Sequence, residues 1–222
     1  MSRLRAVILD VDGTLIDSND AHAQAYVDAG KELGYDMEFE TVRRLIGMGG
    51  DKLLPRAVGF EEDSEEGKRI TERKKEIFHE RYLPTLKPTP GARRLLHRLR
   101  DDAVKLVVAT SAKKDEMKGL LEQAEIGDLI QDATSASDAE ESKPDPDIVE
   151  AALEQAGFPA DQIVMIGDTP YDVEAATRAG VRIIGVRSGG WGDEDLEGAI
   201  AVYEDPADLL EHYDESPLGR NG

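Results

Sequence analysis

Ala6-Val-Ile-Leu9, running into Asp10-Val-Asp-Gly-Thr-Leu-Ile-Asp17, is the stretch on which the fold turns. Four consecutive apolar residues without polar alternation read as a strand buried on both faces, the form a strand takes in a parallel sheet covered by helices. The run stops at Asp10, and Gly13-Thr14 then forces a turn. In an open α/β sheet, ligands sit beyond the carboxyl ends of the strands, so Asp10 and Asp12 emerge where a site belongs. Side chains two apart point the same way while the chain stays extended. Spacing alone carries little, because Asp145/Asp147 and Asp193/Asp195 repeat it. The buried strand in front of the first pair sets that pair apart.

The first run extends to Leu4–Leu9, and further apolar runs stand at Lys105–Ala109, Ile163–Ile166 and Val181–Val186. Each is followed by a helical pattern, which predicts a parallel sheet flanked by helices. Gly91–Arg100 places Leu95, Leu96 and Leu99 on one helical face, and Asp147–Ala156 repeats apolar residues at the same spacing. Between the first two strands, Ser18–Pro90 reads as helices only, with Tyr26, Ala29 and Leu33 on one stripe and Val42, Leu45 and Ile46 on another. The expected organisation is therefore an α/β core of residues 1–17 and 91–222, with a helical domain, 18–90, inserted after strand one. Its exit, Pro84-Thr-Leu-Lys-Pro-Thr-Pro90, should be extended, as a linker or hinge would be. Glu61–Glu66 reads as a solvated face, and Asp214–Gly222 as a frayed tail.

The 222 residues fit one large domain or a core with a modest insertion, enough to bury a core without covalent staples. No cysteine is present, which excludes a thiolate nucleophile, an iron–sulfur cluster and sulfur-ligated zinc. A formal charge of −20 repels polyanions, so neither a nucleic acid nor an anionic membrane is an expected partner. The apolar run after Met1-Ser-Arg-Leu-Arg5 is far shorter than the ~20 residues a bilayer demands and does not read as a secretory leader. The expectation is a soluble, cytoplasmic protein.

Other strand ends carry chemistry too. Thr110-Ser111 follows the second strand, where a hydroxyl can bond a phosphate oxygen beside backbone N–H groups of the next helix. The competing reading is a cap for the helix beginning near Lys113. Lys143, in Glu141-Ser-Lys-Pro-Asp-Pro-Asp147, precedes a helix whose dipole disfavours a cation. Its two prolines should hold the approach extended and aim the charge at an anion. A surface lysine paired with acidic neighbours is the alternative. Ile163-Val-Met-Ile166 ends in Gly167-Asp168-Thr-Pro-Tyr-Asp172, where Asp168 could cap the next helix and Asp172 favour its dipole. Converging Asp10, Asp12, Asp168 and Asp172 against Lys143 alone would be costly. A divalent cation resolves the conflict, and an all-oxygen ligand set points to Mg²⁺.

Taken in order, Asp10–Asp17, Thr110, Lys143-Pro and Gly167-Asp-x-x-x-Asp172 resemble the four motifs of the haloacid dehalogenase-like (HAD) hydrolases. The resemblance spans nearly the whole chain. It implies a Rossmann-like core with helices on both faces and a helical cap inserted after the first motif, the place of 18–90. It implies Asp10 as nucleophile, forming an aspartyl-phosphate, and Asp12 as acid and then base. Asp12 would then hold a proton near neutral pH, far above the usual carboxylate value of about 3.9, and a crowded carboxylate site is one way to raise it. Thr110, Ser111 and Lys143 would bind the transferring phosphoryl group. Mg²⁺ would take carboxylate oxygens of Asp10 and Asp168 and the backbone carbonyl of Asp12, with Asp172 orienting its water shell.

Within the superfamily, an acid two residues after the nucleophile separates phosphate chemistry from dehalogenation, and Asp12 supplies it. The β-phosphoglucomutases share a histidine at His22. Where their cap loop carries an arginine for a second phosphate, however, this chain has Gly50, and Ala112 replaces a polar residue. The expected function is thus a phosphatase of the phosphoglycolate-phosphatase-like type acting on a small phosphorylated metabolite, with a phosphosugar mutase or a phospho-aspartate signalling module as alternatives. His22, Arg44, Gly50 and Lys52 are the candidate substrate contacts from the cap.

Overall fold

In the computed structural model, which describes residues 3–219, β1 (Ala6–Leu9) lies inside a six-stranded sheet. The other strands are β2 (Lys105–Ala109), β3 (Asp132–Thr134), β4 (Ile163–Gly167), β5 (Arg182–Val186) and β6 (Ala201–Tyr203). They run parallel in the order β3-β2-β1-β4-β5-β6. Leu9 stands opposite Val108 on one side and Ile166 on the other. Strand order reverses at β1, so the crevice beyond β1 and β4 is the topological switch point, where such sheets bind ligands.

Between β1 and β2 the chain forms α1 (Asn19–Leu33), α2 (Phe39–Leu45), α3 (Gly50–Ala57) and α4 (Glu65–Ile77). This insertion has its own core, in which Tyr26 and Ala23 of α1 meet Val42, Leu53, Leu54 and Ile70. A π-turn, Phe78–Tyr82, and a 3-10 turn, Leu83–Thr85, lead back to the sheet. Pro84 therefore sits in a turn, and the extended linker begins only at Leu86. From there it runs beside the outgoing segment: Asp17 donates its N–H to Lys87 O at 3.0 Å, and Thr89 donates its N–H to Leu15 O at 3.1 Å. The two crossings between insertion and sheet are thus hydrogen-bonded to each other.

After the insertion come α5 (Ala92–Asp101), α6 (Lys114–Gln123), α7 (Asp147–Ala156), α8 (Pro170–Arg178) and α9 (Pro206–Glu211). The period of two along each strand divides them between the sheet's faces. Val7, Leu9, Leu106, Val108, Val164 and Ile166 share one core with α5, α6 and α9. Ala6, Ile8, Val107, Ala109, Ile163 and Met165 share the other with α7 and α8. Continuous apolarity in the strand sequences is the consequence of covering both faces.

Two strands escape the sequence pattern. β3 and β6 are three-residue edge strands, only partly buried; β3, Asp132-Ala-Thr134, carries no apolar run, whereas β6 lies within the short apolar stretch Ala199–Tyr203, which the strand pattern passes over. Val181–Val186 is accordingly followed by a 3-10 turn, Arg187–Gly189, and then β6 rather than by a helix. The expected fraying of the tail does not hold as far as 219: Ser216 and Leu218 are buried, and Leu218 packs in the same core as Leu4 and Tyr213. Residues 220–222 of that stretch lie outside the described residues. Glu61–Glu66 alternates between exposed and half-buried, with Glu62 paired to Lys113 at 2.8 Å. Among the described residues, no helix is long and apolar enough to cross a membrane.

Ile8 is fully buried at the centre of the sheet. Replacing it by alanine leaves a cavity between β1 and α7, and Ile8→Ala is expected to lower unfolding free energy by about 3 kcal/mol. In urea melts this reads as a lower midpoint with an unchanged slope.

Candidate active site

Asp10 is the first residue past β1, and its N–H donates to Ile166 O at 2.9 Å, which fixes the exit of β1 against β4. Its carboxylate meets Lys143. The lysine is buried, with Nζ 2.6 Å from Asp10 Oδ1, 2.8 Å from Asp172 Oδ1 and 2.8 Å from Ala109 O. All three ammonium donors thus have partners, and the reading of Lys143 as a surface residue fails. The expected extended approach is a turn instead, closed by Asp145 N–H to Ser142 O at 3.1 Å. Proline alone did not determine its shape.

Asp168 is fully buried just past β4. Asn19 Nδ2 donates to its Oδ2 at 2.9 Å and Thr14 Oγ1 to its Oδ1 at 3.1 Å. Gly13 makes this approach possible: its φ is +77°, and a Cβ there would strike Asn19 and Asp168. The cap of α8 is Thr169, not Asp168. Asp172 completes a reciprocal box, its Oδ2 accepting from Thr169 N at 3.0 Å and Thr169 Oγ1 at 2.6 Å. Capping and pairing with Lys143 are therefore both true of Asp172, one through each oxygen.

Asp10, Asp168 and Asp172 each offer a carboxylate oxygen within 4.8 Å of the others. Burial raises the Asp10 carboxyl to about 7, Asp172 and Asp12 pushing the same way against the pull of Lys143. Burial likewise lifts Asp168 well above the usual range, reinforced by Asp10 and Asp172. Burial works against charge on Lys143 too, but the two carboxylates outweigh it and hold the lysine cationic. Asp10 Oδ2 is buried with no hydrogen-bond partner among the described residues. Surplus negative charge, a lone oxygen acceptor and an all-oxygen donor set fit a hard divalent cation.

The fourth expected carboxylate turns away. Asp12 Oδ1 accepts from Ser18 Oγ at 2.5 Å and lies 2.8 Å from His22 Nε2. Burial pushes Asp12 up, yet His22 and the hydrogen bonds from His22 and Ser18 outweigh it, leaving the carboxyl below its ordinary value. The expectation of a raised Asp12 is thus reversed, because its immediate partners are donors. Thr110 is buried, its Oγ1 accepting from Ala112 N at 3.0 Å. It does not cap α6, whose N-cap is Lys113. Ser111 Oγ donates to Gly47 O in the insertion at 3.1 Å.

Asp10, Asp12, Thr110 and Ser111 face His22, Gly50 and the rest of the loop Ile46–Gly50 across a cavity of about 70 Å³. Two expected substrate contacts do not line it. Lys52 bonds Ser142 O at 2.9 Å, Glu141 at 3.1 Å and Asp145, whereas Arg44 stacks 4.7 Å over Trp191 and faces Asp195. Both tie the insertion to core loops. Lys74 and Glu116, which sequence reasoning missed, do line the cavity and pair across it at 3.0 Å. Lys74 sits within Arg73-Lys-Lys75 and Glu116 follows Asp115, so each reads in sequence as a solvated charge. Asn19 and Ser18 were missed for want of any local signal.

A buried lysine clamped between carboxylates at a switch point, with acceptor oxygens crowded for a cation, is an arrangement suited to phosphoryl transfer. The profile of the haloacid dehalogenase-like hydrolase family matches residues 7–186. The chain is 33% identical over 220 residues to a phosphoglycolate phosphatase of Rhodospirillum rubrum, covering 92% of this chain and 89% of that protein. It is 31% identical to a phosphorylated carbohydrates phosphatase of Thermotoga maritima, covering 93% and 97%. A crystal structure of a hydrolase from Pseudomonas syringae superposes with a TM-score of 0.87 at 33% identity, covering 95% and 98%. The chain belongs to the haloacid dehalogenase-like hydrolases, in the phosphoglycolate phosphatase and β-phosphoglucomutase-like subfamily, and is a phosphatase.

The Lys74–Glu116 pair gives a pH signature. Burial pushes the Glu116 carboxyl up, but Lys74 and His22 outweigh it and hold it below its ordinary value. A depressed carboxyl stabilises fully above its unfolded pKa, and the contribution is lost as pH falls through the folded one. Glu116→Gln strands Lys74 in a buried site and is expected to cost about 3 kcal/mol at pH 7. Thermal melts of both proteins should stay apart down through the ordinary glutamate value of about 4.3 and converge only below it, where the wild-type carboxyl takes its proton.

Proposed function

We propose that the protein is a Mg²⁺-dependent phosphatase that hydrolyses a small organic phosphate monoester through an aspartyl-phosphate on Asp10. The observation that carries this reading is the position of Asp10: its Oδ1 is held by Lys143 while its buried Oδ2 has no partner among the described residues.

In the first half-reaction an Asp10 carboxylate oxygen attacks phosphorus and the P–O bond to the alcohol breaks. The departing alkoxide takes a proton from Asp12. Asp12 rests ionised beside His22 and Ser18; an approaching phosphate dianion raises its proton affinity by like-charge proximity, so it takes from solvent the proton it delivers and returns one to solvent when the cycle closes. In the second half-reaction Asp12 takes a proton from water, whose oxygen attacks the phosphorus of the acyl-phosphate, releasing phosphate and restoring Asp10. Lys143 is fixed by Asp172 and Ala109 O before substrate arrives, so its charge needs no reorganisation. Thr110 and Ser111 supply hydroxyls beside it. Mg²⁺ would be held by Asp10 and Asp168 carboxylate oxygens and the Asp12 carbonyl, and when bound it neutralises the phosphoryl oxygens. Asp172, both of whose oxygens are engaged, acts from behind by holding Lys143.

A mutase must seat a second phosphate. Among the cavity-lining residues only His22 and Lys74 can carry positive charge; His22 serves Asp12 and Lys74 is paired. Hydrolysis is therefore favoured. Likewise, a paired acid and base at Asp12 suits turnover better than a long-lived signalling phosphoryl group.

A phosphomonoester panel assayed with Mg²⁺ should give phosphate release that Asp10→Asn abolishes and Asp12→Asn lowers about 10²–10⁴-fold. Lack of release from every compound by the intact protein would overturn the reading. Mg²⁺ should also raise the melting temperature, by the equivalent of about 2.7 kcal/mol at a hundredfold excess over Kd. Asp168→Asn should lose that shift while melting higher than wild type without metal, because one crowded charge is gone.

A further inference from the structure

We infer that the leaving group this phosphatase prefers is a neutral, hydroxyl-bearing one, as in a polyol or sugar phosphate, and that the Lys74–Glu116 pair selects it against leaving groups that carry a carboxylate or second phosphate. This inference rests on the phosphatase reading and deepens it.

The reacting end of the cavity is marked by Asp10, Asp12 and Thr110, and Lys74 and Glu116 line the same cavity. Lys74 comes from α4 of the insertion and Glu116 from α6 of the core, so the pair forms only where the two units meet. Lys74 Nζ lies 3.2 Å from Glu116 Oε1 and 3.0 Å from Oε2, and both side chains are nearly excluded from solvent, at 8% and 13% exposure. The ammonium also sits 4.9 Å over the Phe78 ring and 5.3 Å over that of Tyr26. Its charge is answered on several sides by groups the protein supplies. His22 stacks on the other partner of the lysine, Phe78, at 4.0 Å, and is engaged with Asp12.

An anionic leaving group entering here finds no uncommitted cation among the described residues that line the cavity. It meets Lys74 already neutralised, and it must approach Glu116 as a like charge. A hydroxyl differs because it both donates and accepts. Two of the three Lys74 N–H donors reach Glu116, which leaves one to give to a hydroxyl oxygen, and the carboxylate retains lone pairs that can take the hydroxyl proton. The Gly50 position, the alternative place for a charged anchor in the loop, offers no side chain, and Arg44 and Lys52 are bonded elsewhere. Discrimination through unpaired or repelled polar groups is the strong kind, because the wrong partner leaves the site's own groups unsatisfied.

The test uses a matched pair, 2-hydroxyethyl phosphate and phosphoglycolate, which differ only in CH₂OH against COO⁻, assayed with Mg²⁺ on the intact protein. Wild type is expected to show a kcat/KM at least tenfold higher for the hydroxyl compound. Glu116→Gln frees the charge of Lys74 and should move the ratio at least fivefold toward phosphoglycolate. Lys74→Gln leaves the carboxylate unanswered and should move it the other way. A purely structural pair would lower both activities together and leave the ratio fixed in both variants, which overturns the inference. So does a wild-type preference for phosphoglycolate, an outcome that decides the matter even if either variant fails to fold. Release from neither compound, in a protein inactive on the whole panel, would instead overturn the phosphatase reading and this inference with it.

Discussion

The ammonium of Lys143, buried between Asp10 and Asp172 and bonded to Ala109 O, is the interaction around which the rest of the structure is arranged. One cation joins the carboxyl end of β1, the carboxyl end of β2 and the first turn of α8. Taking an ion pair out of water costs several kcal/mol per ion, and removing one partner leaves an uncompensated buried charge. The surrounding elements must therefore hold every partner at once. β1 does so through parallel pairing on both sides, and α8 through the box between Thr169 and Asp172. Even so, Asp10 and Asp168 retain raised proton affinities. The protein stores unfavourable charge where a cation and a phosphoryl group would relieve it, an arrangement in which binding supplies what folding withholds.

The helical insertion is joined to this centre by more than its two linkers. Asp51 accepts from Ser142 Oγ at 2.6 Å, and Gly49 donates its N–H to the same oxygen at 3.0 Å, immediately beside Lys143. Lys52 bonds the same loop, Arg43 reaches Gly189 O, and Tyr171 donates to Arg44 O. Gly189 in turn packs so closely on Asp168 that a Cβ there would overlap its carboxylate. The loops that shape the carboxylate and lysine site are thus the loops on which the insertion rests. Lys52 and Arg44 have structural employment for the same reason: a cation at that boundary is worth more bridging two bodies than facing an open cavity.

How much of this was legible in the sequence follows from where each residue gets its information. β1, β2, β4 and β5 announce themselves because burial on both faces demands apolar runs, whereas β3 and β6 at the sheet edges need only three partly buried residues, too few to stand out even where, as in β6, they are apolar. Asp10, Thr110 and Asp168 are readable because each follows a strand end, a position the strand itself marks. The pairing of Lys74 with Glu116 joins residues 42 apart from two different units, and nothing local distinguishes either from a surface charge. Asp12 failed in a subtler way. Its neighbours by spacing are acids and suggest a raised carboxyl, yet its neighbours in space are Ser18 and His22, brought there by the start of α1, and they reverse the sign.

That reversal also recasts the meaning of the net charge of −20. A field of that sign opposes an incoming phosphate at long range, but beyond roughly 8 Å it is largely screened at physiological ionic strength. Within that distance the decisive charges are few and buried, where screening is weak. Around Asp10 three carboxylates cluster with one lysine, a deficit that a cation can fill. Elsewhere in the same lining Lys74 and Glu116 cancel, so that stretch of wall is polar without net charge. On the proposed reading, holding the phosphoryl group and choosing the alcohol are separate electrostatic problems met by separate charge clusters in one small cavity. The first is left unbalanced for a ligand to complete, and the second is balanced before the ligand arrives.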